Sequence, residues 1–107
     1  MTTAIFPMAG LSFEVDYGDL NATNAYDSDG LSMTYAITAG ASEGATGTVS
    51  FEWRSLPGGA YAISWQEADG ATVTHIDDFE GQRSLSFYTT PDLQFYRLEG
   101  SLKPFAS

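Results

Sequence analysis

"YAISWQEADGATVTHIDDF", residues 61–79, decides the fold. Two short runs of alternating apolar and polar residues flank Asp69-Gly70. Alternation sends successive side chains to opposite faces of a strand, so the stretch reads as a β-hairpin. A two-residue type I′ turn needs positive φ at both central positions, which Asp-Gly supplies. Centred there, the turn pairs Glu67 with Thr72, Trp65 with Thr74 and Ile63 with Ile76. It sends Trp65, Glu67, Thr74 and Ile76 to one face, and His75 and Asp77 to the other. A bulge at 71–74 would reverse the second strand.

The same texture runs outward along the chain. Alternating runs recur between Gly, Asp, Asn and Pro, at about 11–17, 22–28, 31–38, 47–54, 60–67, 71–78, 84–90 and 95–102. That spacing is all-β. Asp29-Gly30 pairs Tyr26 with Met33 and Asn24 with Tyr35. Gly18-Asp19 pairs Val15 with Ala22 and Phe13 with Asn24, and the turn at Glu80-Gly81 sets Ile76 opposite Leu85. Followed through, one face carries the aromatic and aliphatic side chains and the other carries hydroxyls and charges, as in sheets with one wet side. Eight antiparallel strands with short connections predict an up-and-down barrel, which removes exposed edges. A two-sheet sandwich is the rival. The loop 38–47, "TAGASEGATG", is the one long Gly-rich connection and is expected to lie at the mouth as a lid, most mobile at 39–46.

Bulk properties bound the function. A chain of 107 residues is expected to form one domain, 1–107. Acidic residues number 14 against 4 basic, a net charge of −10, which argues against nucleic acid and anionic membranes. The absence of cysteine excludes disulfides, a thiolate nucleophile and zinc–thiolate ligation. "MTTAIFPMAG" has neither the basic flank nor the apolar run of a signal peptide, and no window approaches the ~18 apolar residues of a membrane helix. A cytoplasmic protein is expected. With one His, no calcium-type loop and no phosphate, dinucleotide or Gly-x-Ser-x-Gly motif, neither metal nor cofactor is expected.

Glu67 is the candidate catalytic group. The hairpin arithmetic places it inside, beside Trp65, where an apolar cavity would raise a carboxyl's pKa toward neutrality. At the rim it would only hydrate the hairpin end. Tyr35 is the candidate that positions a substrate, with Tyr26 and Tyr61 able to share that role. Tyr26, Met33, Tyr35, Phe51, Trp53, Tyr61, Trp65, Glu67, Thr74 and Tyr96 are the residues expected to touch a ligand. Alternatively the aromatics fill the interior, since eight strands enclose space for either side chains or one small ligand. Polar groups among them, including Asn24, Thr72 and Asp78, favour a pocket. His75 and Asp77 resemble a catalytic or metal pair, but placed outside they read as surface decoration.

"FPMAGLSFEVDYGD" (6–19), "GTVSFEWRSLPGGAYAISWQEADGATVTHIDDFEG" (47–81) and "FYTTPDLQFYRLEGSL" (87–102) resemble the MoaF-like small proteins over nearly the whole chain. The resemblance implies a calycin, or lipocalin-like, barrel and no assigned reaction. Trp65-Gln66-Glu67-Ala68-Asp69-Gly70 is also similar, more distantly, to the Trp-x-Glu-Pro-x-Gly segment of phenolic acid decarboxylases. In that family the Glu faces the interior and serves catalysis. The family's two tyrosines fall near Phe13 and Val15 here, and its clamping Arg falls within 44–49, which has none. The likeness therefore supports an inward Glu67 more than that decarboxylation.

Three functional classes follow. The first is a barrel that binds a small hydrophobic or aromatic molecule. The second is a cofactor-free lyase, isomerase or cyclase that uses Glu67 as general acid and base. The third is an interaction module or homodimer, with Tyr88, Phe95 and Val73 expected on its outer face.

Overall fold

Nine antiparallel strands follow one another with short connections in a computed structural model that describes residues 5–105. They are β1 (Ser12–Asp16), β2 (Asn21–Tyr26), β3 (Ser32–Ala39), β4 (Thr46–Ser50), β5 (Glu52–Ser55), β6 (Tyr61–Gln66), β7 (Thr72–Asp78), β8 (Arg83–Thr89) and β9 (Phe95–Pro104). Their order in the sheet is β4-β3-β2-β1-β9-β8-β7-β6-β5. β1 and β9 pair, so the first and last strands meet in mid-sheet. The two edges, β4 and β5, are joined through Phe51 alone. The sheet is thus a nearly closed barrel, and the run expected as one strand at 47–54 is two. Phe51 donates its backbone N–H to Leu31 and buries its ring, so the chain bends there: β4 pairs with β3 and β5 with β6.

The register matches the sequence at three turns. Val15 faces Ala22, Tyr26 faces Met33, and Ile76 faces Leu85. It differs at Asp69-Gly70. Glu67 accepts from the Gly70 N–H and donates its own N–H to Ala71, so the loop has three residues, 68–70, rather than two. Gly70 takes φ +100°, the left-handed position of a type I turn followed by a bulge. One extra residue inverts β7. Trp65 faces Val73, Ile63 faces His75 and Tyr61 faces Asp77. Val73, His75 and Asp77 are buried, whereas Thr74 and Ile76 look outward. Because Ile76 and Leu85 do pair, the inversion passes to β8, where Ser84 and Ser86 point in while Leu85 and Phe87 point out. Val73 and Tyr88 therefore do not join Phe95 on an outer surface.

The interior divides along the barrel axis. At one end Phe6, from the segment before β1, is 1% exposed and packs against Tyr26, Phe51, Trp53, Tyr61 and Phe79. Phe13 and Met33 complete this plug. The turns at 18–20, 40–45 and 67–71 meet at the other end, where the interior is hollow.

Candidate functional site

The mouth is built around Glu67, the first residue of the β6–β7 turn. Trp65 lies two positions back on the same inward side, and its indole Nε1–H donates to Glu67 Oε2 at 2.6 Å. From β3, the Tyr35 hydroxyl donates to Oε1 at 2.9 Å. Both carboxylate oxygens are therefore engaged by aromatic donors. Tyr35 reaches across because its β4 partner is Gly47: a Cβ there would sit 2.6 Å from the phenol oxygen. Burial first, then the bond to Glu67 and its charge, raise the Tyr35 pKa to about 12. Tyr88, in the same wall, is raised by burial and then by Asp69 and Glu67.

Below this gate lies a cavity of about 240 Å³. Its walls are largely apolar: Leu20, Ile37, Trp65, Val73, Tyr88 and Leu98. Ser42 and Ala45 of the 40–45 turn lie at its edge, with Glu67 and Asp69 as an acidic collar.

Its floor is polar. Asn24, His75 and Ser86 line it and are only 3, 5 and 4% exposed. The His75 ring stands edge-on to Trp65, centroids 5.1 Å apart. Behind it lies Asp77, fully buried, with His75 Nδ1 3.4 Å from Asp77 Oδ2. The two atoms are within ion-pair distance but misaligned for a hydrogen bond, so each lacks a partner. Asp77 Oδ1 is held by the Ser84 hydroxyl at 2.5 Å, and Ser84 Oγ in turn lies 2.7 Å from the Tyr17 hydroxyl. Desolvation drives the Tyr17 pKa far above that of free tyrosine, with the neighbouring Asp77 charge adding to it. Asn24 Nδ2 is a third buried polar atom without a partner.

Three residues expected at a site meet here: Tyr35, Trp65 and Glu67. Tyr26, Met33, Phe51, Trp53 and Tyr61 belong to the packed end around Phe6. Thr74 lies on a shallow outer groove with Ser64 and Gln66, and Tyr96 stacks on Tyr88 while 46% exposed. The sequence reading singled out His75 and Asp77 but placed them outside, and it missed Ser84 and Ser86 as inward residues. The only available signal was Val73-x-His75-x-Asp77 as a face of its own, and that face is hidden as long as the hairpin loop is counted as two residues. Among the described residues no three His, Asp or Glu converge as metal ligands, and no helix is long and apolar enough to cross a membrane.

Fold and site together define a small antiparallel barrel, closed by aromatics at one end and hollow at the other. The family model described as MoaF-like matches residues 9–103, and the chain belongs to the MoaF-like family. It is also similar to a crystal structure from Burkholderia vietnamiensis of a protein provisionally designated a beta-lactamase. That likeness has a TM-score of 0.94 and 52% identity, over 96% of this chain and 100% of the other. No curated protein matches.

Proposed function

We propose that the protein binds a small, flat, predominantly apolar molecule in the cavity lined by Trp65 and His75. The observation that carries this is a cavity of about 240 Å³ with apolar walls inside an otherwise packed barrel. A dry cavity of about 150 Å³ admits benzene, so the space here suits a molecule of two fused rings. Binding would remove apolar surface from water, while the few polar groups set orientation. The acidic collar of Glu67 and Asp69, in a chain of net charge −10, disfavours anions.

The designation of the Burkholderia protein finds little support in these residues. The chain's single lysine is Lys103, which is exposed, and there is no Ser-x-x-Lys motif. Glu67 as an acid–base catalyst would first have to release Trp65 or Tyr35.

Titration with tetralin, followed by tryptophan fluorescence, tests the binding reading. The change should saturate, vanish in Trp65→Phe and persist in Trp53→Phe, because Trp53 sits in the Phe6 plug. Ile37→Trp should fill the cavity and abolish binding. A linear, unsaturable change in the wild type would overturn the reading.

A further inference from the structure

The cavity floor holds more polar chemistry than binding an apolar molecule needs. Buried polar side chains are ordinarily partnered. Here Asn24 Nδ2, His75 Nδ1 and Asp77 Oδ2 are all buried without partners, and both Asn24 and His75 line the cavity. With Nδ1 turned toward Asp77, the Nε2 side of the imidazole is the part left to serve the cavity. Asp77 is itself fixed from behind by Ser84, which Tyr17 backs. A carboxylate held against one imidazole nitrogen orients the ring and stabilises its protonated form, which makes the other nitrogen a competent base. Asn24 Nδ2 is itself buried, so a half-turn of the amide would bring its N–H to an oxygen in the same space.

We propose that the floor is a proton-transfer site for neutral carbonyl compounds, resting on the binding reading above. The carbonyl oxygen accepts a hydrogen bond from the Asn24 Nδ2–H. His75 Nε2 removes a proton from the adjacent carbon. The C–H electron pair becomes a C=C bond, and the carbonyl π pair moves onto oxygen, where the Asn24 N–H stabilises the developing charge. The imidazolium, stabilised by Asp77, returns a proton to carbon. No co-reactant is consumed. His75 is the catalytic residue and Asp77 a positioning residue.

The probe is 2-tetralone, a neutral two-ring ketone, with tetralin as its carbonyl-free counterpart. Hydrogen–deuterium exchange at the carbon between ring and carbonyl is followed by NMR in D2O. The protein should accelerate exchange by about 100-fold over buffer, the lower scale of general acid–base catalysis. His75→Gln should remove the acceleration while 2-tetralone still changes Trp65 fluorescence. Asp77→Asn, nearly isosteric, should lower the maximal rate with little change in the half-saturating concentration. Loss of a merely structural contact would not separate the two. Binding of both probes without acceleration overturns the proposal, as does acceleration that survives in His75→Gln. Binding of tetralin but not 2-tetralone overturns the donor role of Asn24 and, with it, the proposed floor. If neither binds, it is the cavity reading beneath the proposal that fails.

Discussion

The Tyr35 hydroxyl donates to Glu67 Oε1 at 2.9 Å, joining residues 32 apart in sequence. The contact ties β3 to the β6–β7 turn over the cavity entrance, and it makes the Tyr35 pKa a reporter of the gate. Unfolded tyrosine ionises near about 10; folded Tyr35 is raised to about 12, first by burial and then by Glu67. The raised value means that the folded state holds its proton longer. The resulting stability is complete below about pH 10 and is lost as pH climbs toward about 12. Glu67→Gln removes the charge, so phenolate absorbance should appear at lower pH than in the wild type. An unchanged titration curve would show that Glu67 does not act on Tyr35.

Gly47 gives that gate its geometry. The Tyr35 ring occupies the space where a Cβ at 47 would lie, 2.6 Å from the phenol oxygen. Gly47→Ala should displace the ring, break the bond to Glu67 and lower the Tyr35 titration as Glu67→Gln does. The stability cost should be about 1–2 kcal/mol, within the range of overpacking. A crystal structure of the variant with the Tyr35–Glu67 bond intact would refute this.

Much of this fold was legible, and the point where legibility ended has a physical cause. At Asp29-Gly30 and Gly18-Asp19 the paired inward residues, such as Val15 with Ala22 and Tyr26 with Met33, follow from the turn and from the alternation alike. At 72–78 they do not: Val73 and Ile76 stand on opposite parities, and the alternation supports neither face. The decision then fell to Asp69-Gly70, whose glycine fits both a two-residue loop and a three-residue loop with a bulge. Ala71 is the quiet clue. It is 1% exposed, and its N–H is taken by Asp69 Oδ1, which suits the longer loop. The aromatic interior could be read because it consists of side chains alone. Its division into a plug and a cavity could not, because Phe6, which closes one end, lies outside every strand.

Phe6 should therefore carry stability far beyond its place near the terminus. It contacts five rings and is 1% exposed. Phe6→Ala should cost about 3–5 kcal/mol, the range for deleting a buried aromatic side chain. Urea denaturation measures it. A loss below about 1 kcal/mol, typical of surface positions, would mean that the barrel end closes without this residue.

Closure of the barrel between its first and last strands rests on another glycine. A Cβ on Gly100 would overlap the Asp16 carbonyl oxygen, which is backbone and cannot swing aside. Gly100→Ala must pry β9 from β1 and should cost about 3 kcal/mol, the upper end of overpacking. Gly58→Ala, where the added carbon meets open space but φ is +90°, serves as the contrast. It should cost only about 1 kcal/mol, the scale of a strained backbone position. Equal losses in the two variants would remove the steric account of the β1–β9 seam.

The turn over the cavity should move and be stilled by what the cavity holds. Residues 40–46 are all exposed, and the turn brings no large apolar side chain to anchor it. Its backbone bonds are local: Gly44 N–H to Ile37, Ala45 carbonyl to the Ile37 N–H, and Glu43 N–H to Gly40. It meets the rest of the mouth where Gly40 lies so close to the Asp19 carbonyl that a Cβ would approach to 2.6 Å. Few buried contacts mean a small free energy of local opening. Ser42 and Ala45 border the cavity, so a bound molecule would add contacts to this turn. Amide hydrogen exchange at 39–46 should be fast in the free protein, faster than in the 61–78 hairpin, and should slow on saturation with tetralin. Slow exchange in the free protein, equal to that of the hairpin, would make the turn a fixed plug. Entry would then have to pass elsewhere, with the seam between β4 and β5 as the one break in the barrel wall.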